Sequence, residues 1–164
     1  MKSFSKPFLL IISGIICFTL TNCNCNCDQE DIDLKVHMKF EYADEVNTFE
    51  NYLKKDLVQD GVADTTFSFS KEEKYAILGV ANDVGFFEMP EKIKSTVDYE
   101  QNPSPGEQML RIKFEDWEHT VKWTVPLGKT ELEQKIKKLS YFIINIIIDS
   151  PEYNALPKAN GGYL

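Results

Sequence analysis

Leu34-Lys35-Val36-His37-Met38-Lys39-Phe40-Glu41-Tyr42 is the stretch that decides the fold. Leu34, Val36, Met38, Phe40 and Tyr42 take every second position, and Lys35, His37, Lys39 and Glu41 take the others. Successive side chains of a strand point to opposite faces, so a period of two over nine residues predicts a strand with one dry and one wet side.

Downstream, Asn47 to Val58 is mixed, and we read it as a second strand or an irregular hairpin partner. Gln59-Asp60-Gly61 is a turn signal, and Thr65 to Phe69 reads as a short strand. Ser70-Lys71-Glu72-Glu73 is a capping box: the Ser70 hydroxyl can accept from the Glu73 amide while the Glu73 carboxylate accepts from the Ser70 amide. Ile77, Leu78, Ala81 and Val84 then recur at helical spacing, and Gly85 is placed to end the helix in the left-handed conformation. Phe86-Phe87-Glu88-Met89-Pro90 reads as a core-plugging segment, and residues 91–106 read as a connection with a rigid turn at Asn102-Pro103-Ser104-Pro105-Gly106.

Alternation returns in Glu107 to Glu115, with Leu110, Ile112 and Phe114 inward, and in His119 to Val125, with Val121, Trp123 and Val125 inward. Two such runs so close together predict an antiparallel hairpin. Thr130-Glu131-Leu132-Glu133 is a second capping box, opening a helix to about Asp149 with Leu132, Ile136, Leu139, Ile143 and Ile146 as its stripe. From Tyr141 to Ile148 only Asn145 interrupts the apolar residues, which predicts burial on more than one side. Pro151 is expected to end it. The fold class is therefore α+β: an antiparallel β-sheet with two α-helices packed on one face and the other face partly wet.

Upstream lies an address. Lys2 and Lys6 precede an apolar run from Phe8 to Leu20, and no acid appears before Asp28. This is the n-region and h-region of a signal peptide over residues 1–22, short for a spanning helix. Leu20-Thr21-Asn22-Cys23 resembles a bacterial lipobox, with Cys23 as the lipidation site, although Asn22 stands where Gly, Ala or Ser is usual. The other reading is ordinary cleavage with Cys23 or Cys25 as the small residue. Residues 23–33 then form an acidic tether, and 34–164 a single α+β domain. Diacylation would give the two-chain anchoring that is stable in a membrane.

The formal charge of −8 becomes −10 once residues 1–22 are removed. Such a balance argues against nucleic acid and against a basic membrane-docking face. All four cysteines lie at or before Cys27, so the domain relies on its core rather than on disulfides. With Cys23 lipidated, Cys25 and Cys27 provide two thiolates, short of the usual four-ligand zinc site. Asp28, Glu30, Asp31 and Asp33 read as a solvated spacer, lacking the glycine and terminal Glu of an EF-hand.

The chain has two histidines, His37 on the wet side of its strand and His119 on the face of Val121 and Trp123. No zinc-binding histidine spacing, nucleophile elbow or phosphate loop accompanies them, so no metal, cofactor or catalytic residue is expected. Trp117, beside Asp116 and Glu118 in the hairpin turn, has two readings. It is an exposed anchor for a partner, since Trp is enriched in binding hot spots, or it folds back over the sheet edge. Tyr42, Tyr99 and Tyr163 are candidates to line the open face or a groove, with Tyr163 a second partner contact. Asn145 reads as a satisfied buried amide or, with His119, as part of a pocket.

Several segments carry a likeness: Lys55-Asp56-Leu57-Val58, Phe86 to Pro90, Val121-Lys122-Trp123, Pro151-Glu152-Tyr153 with Leu156-Pro157, and Gly161-Gly162-Tyr163. Residues 48–164 resemble through them a family of uncharacterised bacterial secreted or lipid-anchored proteins, a domain of unknown function. The resemblance implies export and brings no activity, ligand or catalytic residue. Together these readings lead to a lipid-anchored, non-catalytic binding or interaction domain of the bacterial cell envelope with a protein partner. The alternative is a small-ligand carrier or hydrolase using a pocket between sheet and helices.

Overall fold

The computed structural model describes residues 30–97 and 104–163. The expected signal peptide, Cys23, Cys25, Cys27, Tyr99 and the Asn102-Pro103 half of the rigid turn lie outside the described residues. In chain order the elements are β1 (Leu34–Phe40), β2 (Asp44–Asn47), β3 (Tyr52–Asp56), β4 (Val62–Thr66), α1 (Lys71–Val84), a 3-10 turn (Phe86–Glu88), β5 (Lys92–Ile93), β6 (Glu107–Phe114), β7 (Trp117–Thr124), α2 (Glu131–Asp149) and α3 (Pro151–Ala155). The strands form one sheet in the order β4-β3-β2-β1-β6-β7-β5. Every pairing is antiparallel except β5 with β7. The class is α+β, as the alternation predicts.

β1 sits at the centre because its dry side is unbroken: Leu34, Val36, Met38 and Phe40 are all buried. Leu110 and Ile112 of β6 pair with Met38 and Val36, and Val46 of β2 also pairs with Met38, so the dry side continues across the sheet. Ile77, Ala81 and Val84 of α1 and Ile136, Leu139, Ile143 and Ile147 of α2 join these strands in one core cluster. Both capping boxes form, and Gly85 ends α1 at φ 68°.

Four expectations are corrected. The mixed stretch Asn47–Val58 holds one strand, β3, and a further strand not expected, β2, runs ahead of it to Asn47, the two joined by a turn at 48–51 in which Asn51 adopts φ 59°. The strand expected at Thr65–Phe69 is Val62–Thr66; Phe67 and Phe69 leave it and pack edge-on in the core, 5.0 Å apart. Gly61 at φ 79° sets this register, starting the return strand straight after the turn. β5 falls in the expected connection, because two residues are too few to show a period. Pro151 ends α2 but also opens α3 as its first residue, with Ser150 accepting from the Tyr153 amide at 3.2 Å.

The N-terminus of α2 is bound to the rest of the fold by a buried carboxylate. Glu133 Oε1 accepts from the amides of Thr96 at 2.7 Å and Gly128 at 2.9 Å. Oε2 accepts from the Thr130 amide at 3.0 Å and the Thr130 hydroxyl at 2.5 Å, with the Thr96 hydroxyl 2.8 Å away. The Thr130 hydroxyl bond, then the Thr96 amide, hold the Glu133 carboxyl well below the usual carboxylate range. A side chain at Gly128 would collide with the Thr96 hydroxyl and sit 2.9 Å from both carboxylate oxygens, so the site requires glycine.

A second buried acid behaves oppositely. Asp44 Oδ1 accepts from the Asp56 amide at 2.6 Å and Oδ2 from the Tyr153 hydroxyl at 3.1 Å, joining α3 to the β2–β3 end of the sheet. Burial pushes the Asp44 carboxyl above its ordinary value despite these donors.

Candidate functional site

Two surface features stand apart from the filled core. The first is an aromatic edge. β6 and β7 meet in a tight turn in which Glu115 takes φ 53°, and Trp117 opens β7 paired with Phe114. Phe114 in turn pairs with Leu34, so this is the end of the sheet where the chain enters β1. Trp117 remains 62% exposed there, rather than folded back over the sheet edge. Phe87 backs it, edge-on with ring centres 6.3 Å apart.

Phe87 is itself held from below. Phe86 is fully buried, contacts the Phe87 ring at 5.6 Å and meets the His119 ring at 5.5 Å. His119 Nε2 lies 2.7 Å from the Met89 carbonyl oxygen, which makes that nitrogen the donor. The histidine therefore fastens the segment after α1 to β7. Glu115 and Asp116, in the turn before Trp117, give the edge an acidic border, while Glu118 points to the opposite face and pairs with Arg111.

The second feature is a cleft of about 290 Å³ between the sheet and α2, at the other end of β1. Met38, Phe40, Trp123, Val125 and Ile144 supply apolar walls, while Lys137 and Tyr141 from α2 and Glu41 from the β1–β2 turn also line it. Its other polar groups are committed elsewhere: Gln108 donates to the carbonyls of Glu41 and Pro105, and the Ser140 hydroxyl donates to the Lys137 carbonyl at 3.1 Å. A nucleophile needs a base within hydrogen-bond reach, and Ser140 bonds only to a carbonyl here.

The structure does not bring His119 and Asn145 together in a pocket. His119 lies at the aromatic edge, and Asn145 is exposed on α2 rather than a buried amide. One side of α2 is left uncovered, so Tyr141 and Ile148 also face outward instead of being buried all round. Tyr163 stacks on Tyr42 with ring centres 3.7 Å apart and donates to the Asp56 carboxylate. That contact holds the tail beside β3, with Asn160 bridged to Val58. Among the described residues no group of His, Cys, Asp or Glu could hold a metal ion, and no helix is long and apolar enough to cross a membrane.

No protein-family model matches this chain, and no curated protein matches it. The site is therefore read from its own geometry.

Proposed function

We propose that the chain is a lipid-anchored, non-catalytic interaction domain of the bacterial cell envelope that holds a protein partner through the Trp117–Phe87 edge. The exposed Trp117 carries this reading. A large ring left in water, backed by a second ring, is the usual shape of a binding hot spot. Its acidic border favours a partner pocket rimmed by Lys or Arg. Export and anchoring rest on the signal-like residues 1–22, the lipobox-like Leu20 to Cys23 and the likeness to bacterial lipid-anchored proteins.

Two experiments test these parts separately. Cys23→Ala should abolish incorporation of labelled fatty acid in cells; undiminished labelling would remove the anchor from the proposal. Trp117→Ala should weaken the partner complex by at least about 2 kcal/mol, roughly thirty-fold in Kd, while leaving thermal stability within about 1 kcal/mol of wild type. In-cell crosslinking followed by purification reads the first, and thermal unfolding the second. A partner retained in full by Trp117→Ala would place the contact elsewhere.

The cleft favours a second reading, a carrier of a small apolar ligand. A molecule co-purifying with the chain, seen by native mass spectrometry, together with an empty crosslink, would move the function there.

A further inference from the structure

Net charge conceals how the charges are arranged. The chain carries −8, yet the sheet face opposite the helices is positive. The register sets Lys54, Glu45, Lys39, Met109, Lys122 and Lys92 side by side in one row across β3, β2, β1, β6, β7 and β5. Two residues along the strands, His37 pairs with Arg111, and beyond them Lys35 pairs with Lys113. Seven lysines and arginines thus share this face with Glu45, Asp56, Asp64, Glu107 and Glu118, a surplus of two positive charges before His37 is counted.

Its acids are largely committed. Glu45 accepts from Tyr52 at 2.8 Å, lies 2.6 Å from His37 Nε2 and has Lys54 at 3.7 Å. Glu107 is shared by Lys92 and Lys122 at 3.4 Å each, and Glu118 pairs with Arg111 at 2.7 Å. Asp56 accepts from the Val58 amide and the Tyr163 hydroxyl, and Asp33 touches Lys35 at the rim, at 3.6 Å, which leaves the face a surplus of one positive charge. Lys39 and Lys113 make no ion pair among the described residues.

We propose that this open face is a docking surface for a linear acidic polysaccharide lying across the strands. Neighbouring strands are about 4.8 Å apart, so Lys54, Lys39 and Lys122, on alternate strands, stand in line on the order of 10 Å apart, with Lys54 sharing Glu45 and Lys122 sharing Glu107 while Lys39 has no ion pair among the described residues. A stiff polymer with charges at regular intervals meets such a line with little loss of freedom. A bilayer would gain most from apolar side chains that insert, and this face offers the half-buried Met109 and a Phe49 ring covered by the Arg111 guanidinium at 4.3 Å. A single-stranded nucleic acid would stack on free rings, but Lys54 sits 4.4 Å above the Tyr52 ring as Arg111 does above Phe49.

The test is titration of the purified full chain, in detergent, with polygalacturonate oligomers at several salt concentrations. Dextran of equal length is the uncharged control. Polygalacturonate should bind at low salt and dextran should not. Lys39→Gln/Lys122→Gln, two exposed positions of that row, should lower affinity about tenfold and flatten the dependence of log K on log salt by about 1.5. Both positions are on the surface, and circular dichroism confirms that the double variant folds. Trp117→Ala should bind the polymer as wild type does, which keeps this surface distinct from the aromatic edge. Three results would overturn the proposal: no binding at low salt, unchanged binding by the double variant, or preferential binding of a single-stranded oligonucleotide. Association with phosphatidylglycerol vesicles that the double variant loses, without polymer binding, would reassign the face to a membrane.

Discussion

Glu133→Ala is expected to lower the melting temperature by about 10 °C or more, the largest effect of any polar substitution in the chain. Three amides and two hydroxyls converge on this carboxylate in the fold, and truncation leaves them without it. Glu133→Gln should be nearly as damaging. Its amide would turn a donor toward other donors, where the carboxylate offers acceptors alone. Thermal unfolding of the three proteins checks this, and a glutamine variant as stable as wild type would contradict it.

The same carboxylate shapes stability against pH. Its folded value lies below its unfolded value of 4.5, so the stabilisation is complete above pH 4.5 and is lost as pH falls through the depressed folded value. Asp44 has the opposite sign: its folded value is raised, so its contribution is present at low pH and lost as pH rises through that value. Urea unfolding between pH 5 and pH 3 should therefore show wild type losing stability more steeply than Glu133→Ala. Parallel pH profiles would mean that Glu133 is not held in its charged form.

Phe86→Ala is expected to cost about 3–5 kcal/mol, a large share of the roughly 5–15 kcal/mol that holds a domain together. The ring is fully buried, and it supports both Phe87 and His119. Removing it leaves a void beneath the turn that carries Phe87, so partner binding should weaken even though Phe86 itself is not at the surface. Urea unfolding should show a lower midpoint with an unchanged slope. A loss below about 1 kcal/mol would show that the surroundings close over the void and that Phe86 is not the support inferred here.

How far the residues alone foretold this molecule depended on whether the signal was local. Strict alternation in β1, β6 and β7 predicted the centre of the sheet, and both capping boxes marked their helices at the right residue. Asp44–Asn47 and Lys92–Ile93 are too short to alternate visibly, so β2 and β5 were missed. Asn145 misled because an apolar run shows that a helix is hydrophobic, not how many neighbours it has. The exposure of Trp117 was legible because it follows the turn, where there is no core to fill, although it is the first residue of β7 rather than part of the turn. The cleft was invisible because Met38, Trp123 and Ile144 come from three separated elements. The positive sheet face had a signal in Lys35, His37, Lys39, Arg111 and Lys113, but whole-chain charge averaged it away.

The central claim is that the aromatic edge is the working surface. The most direct measurement is photo-crosslinking in cells from a reactive residue placed at Asp116, beside Trp117, compared with one placed at Asn145 on the outer side of α2. The expected result is a single protein partner captured from position 116, absent from position 145 and lost when Trp117→Ala is added. Equal capture from both positions, or capture from 116 that survives Trp117→Ala, would contradict it.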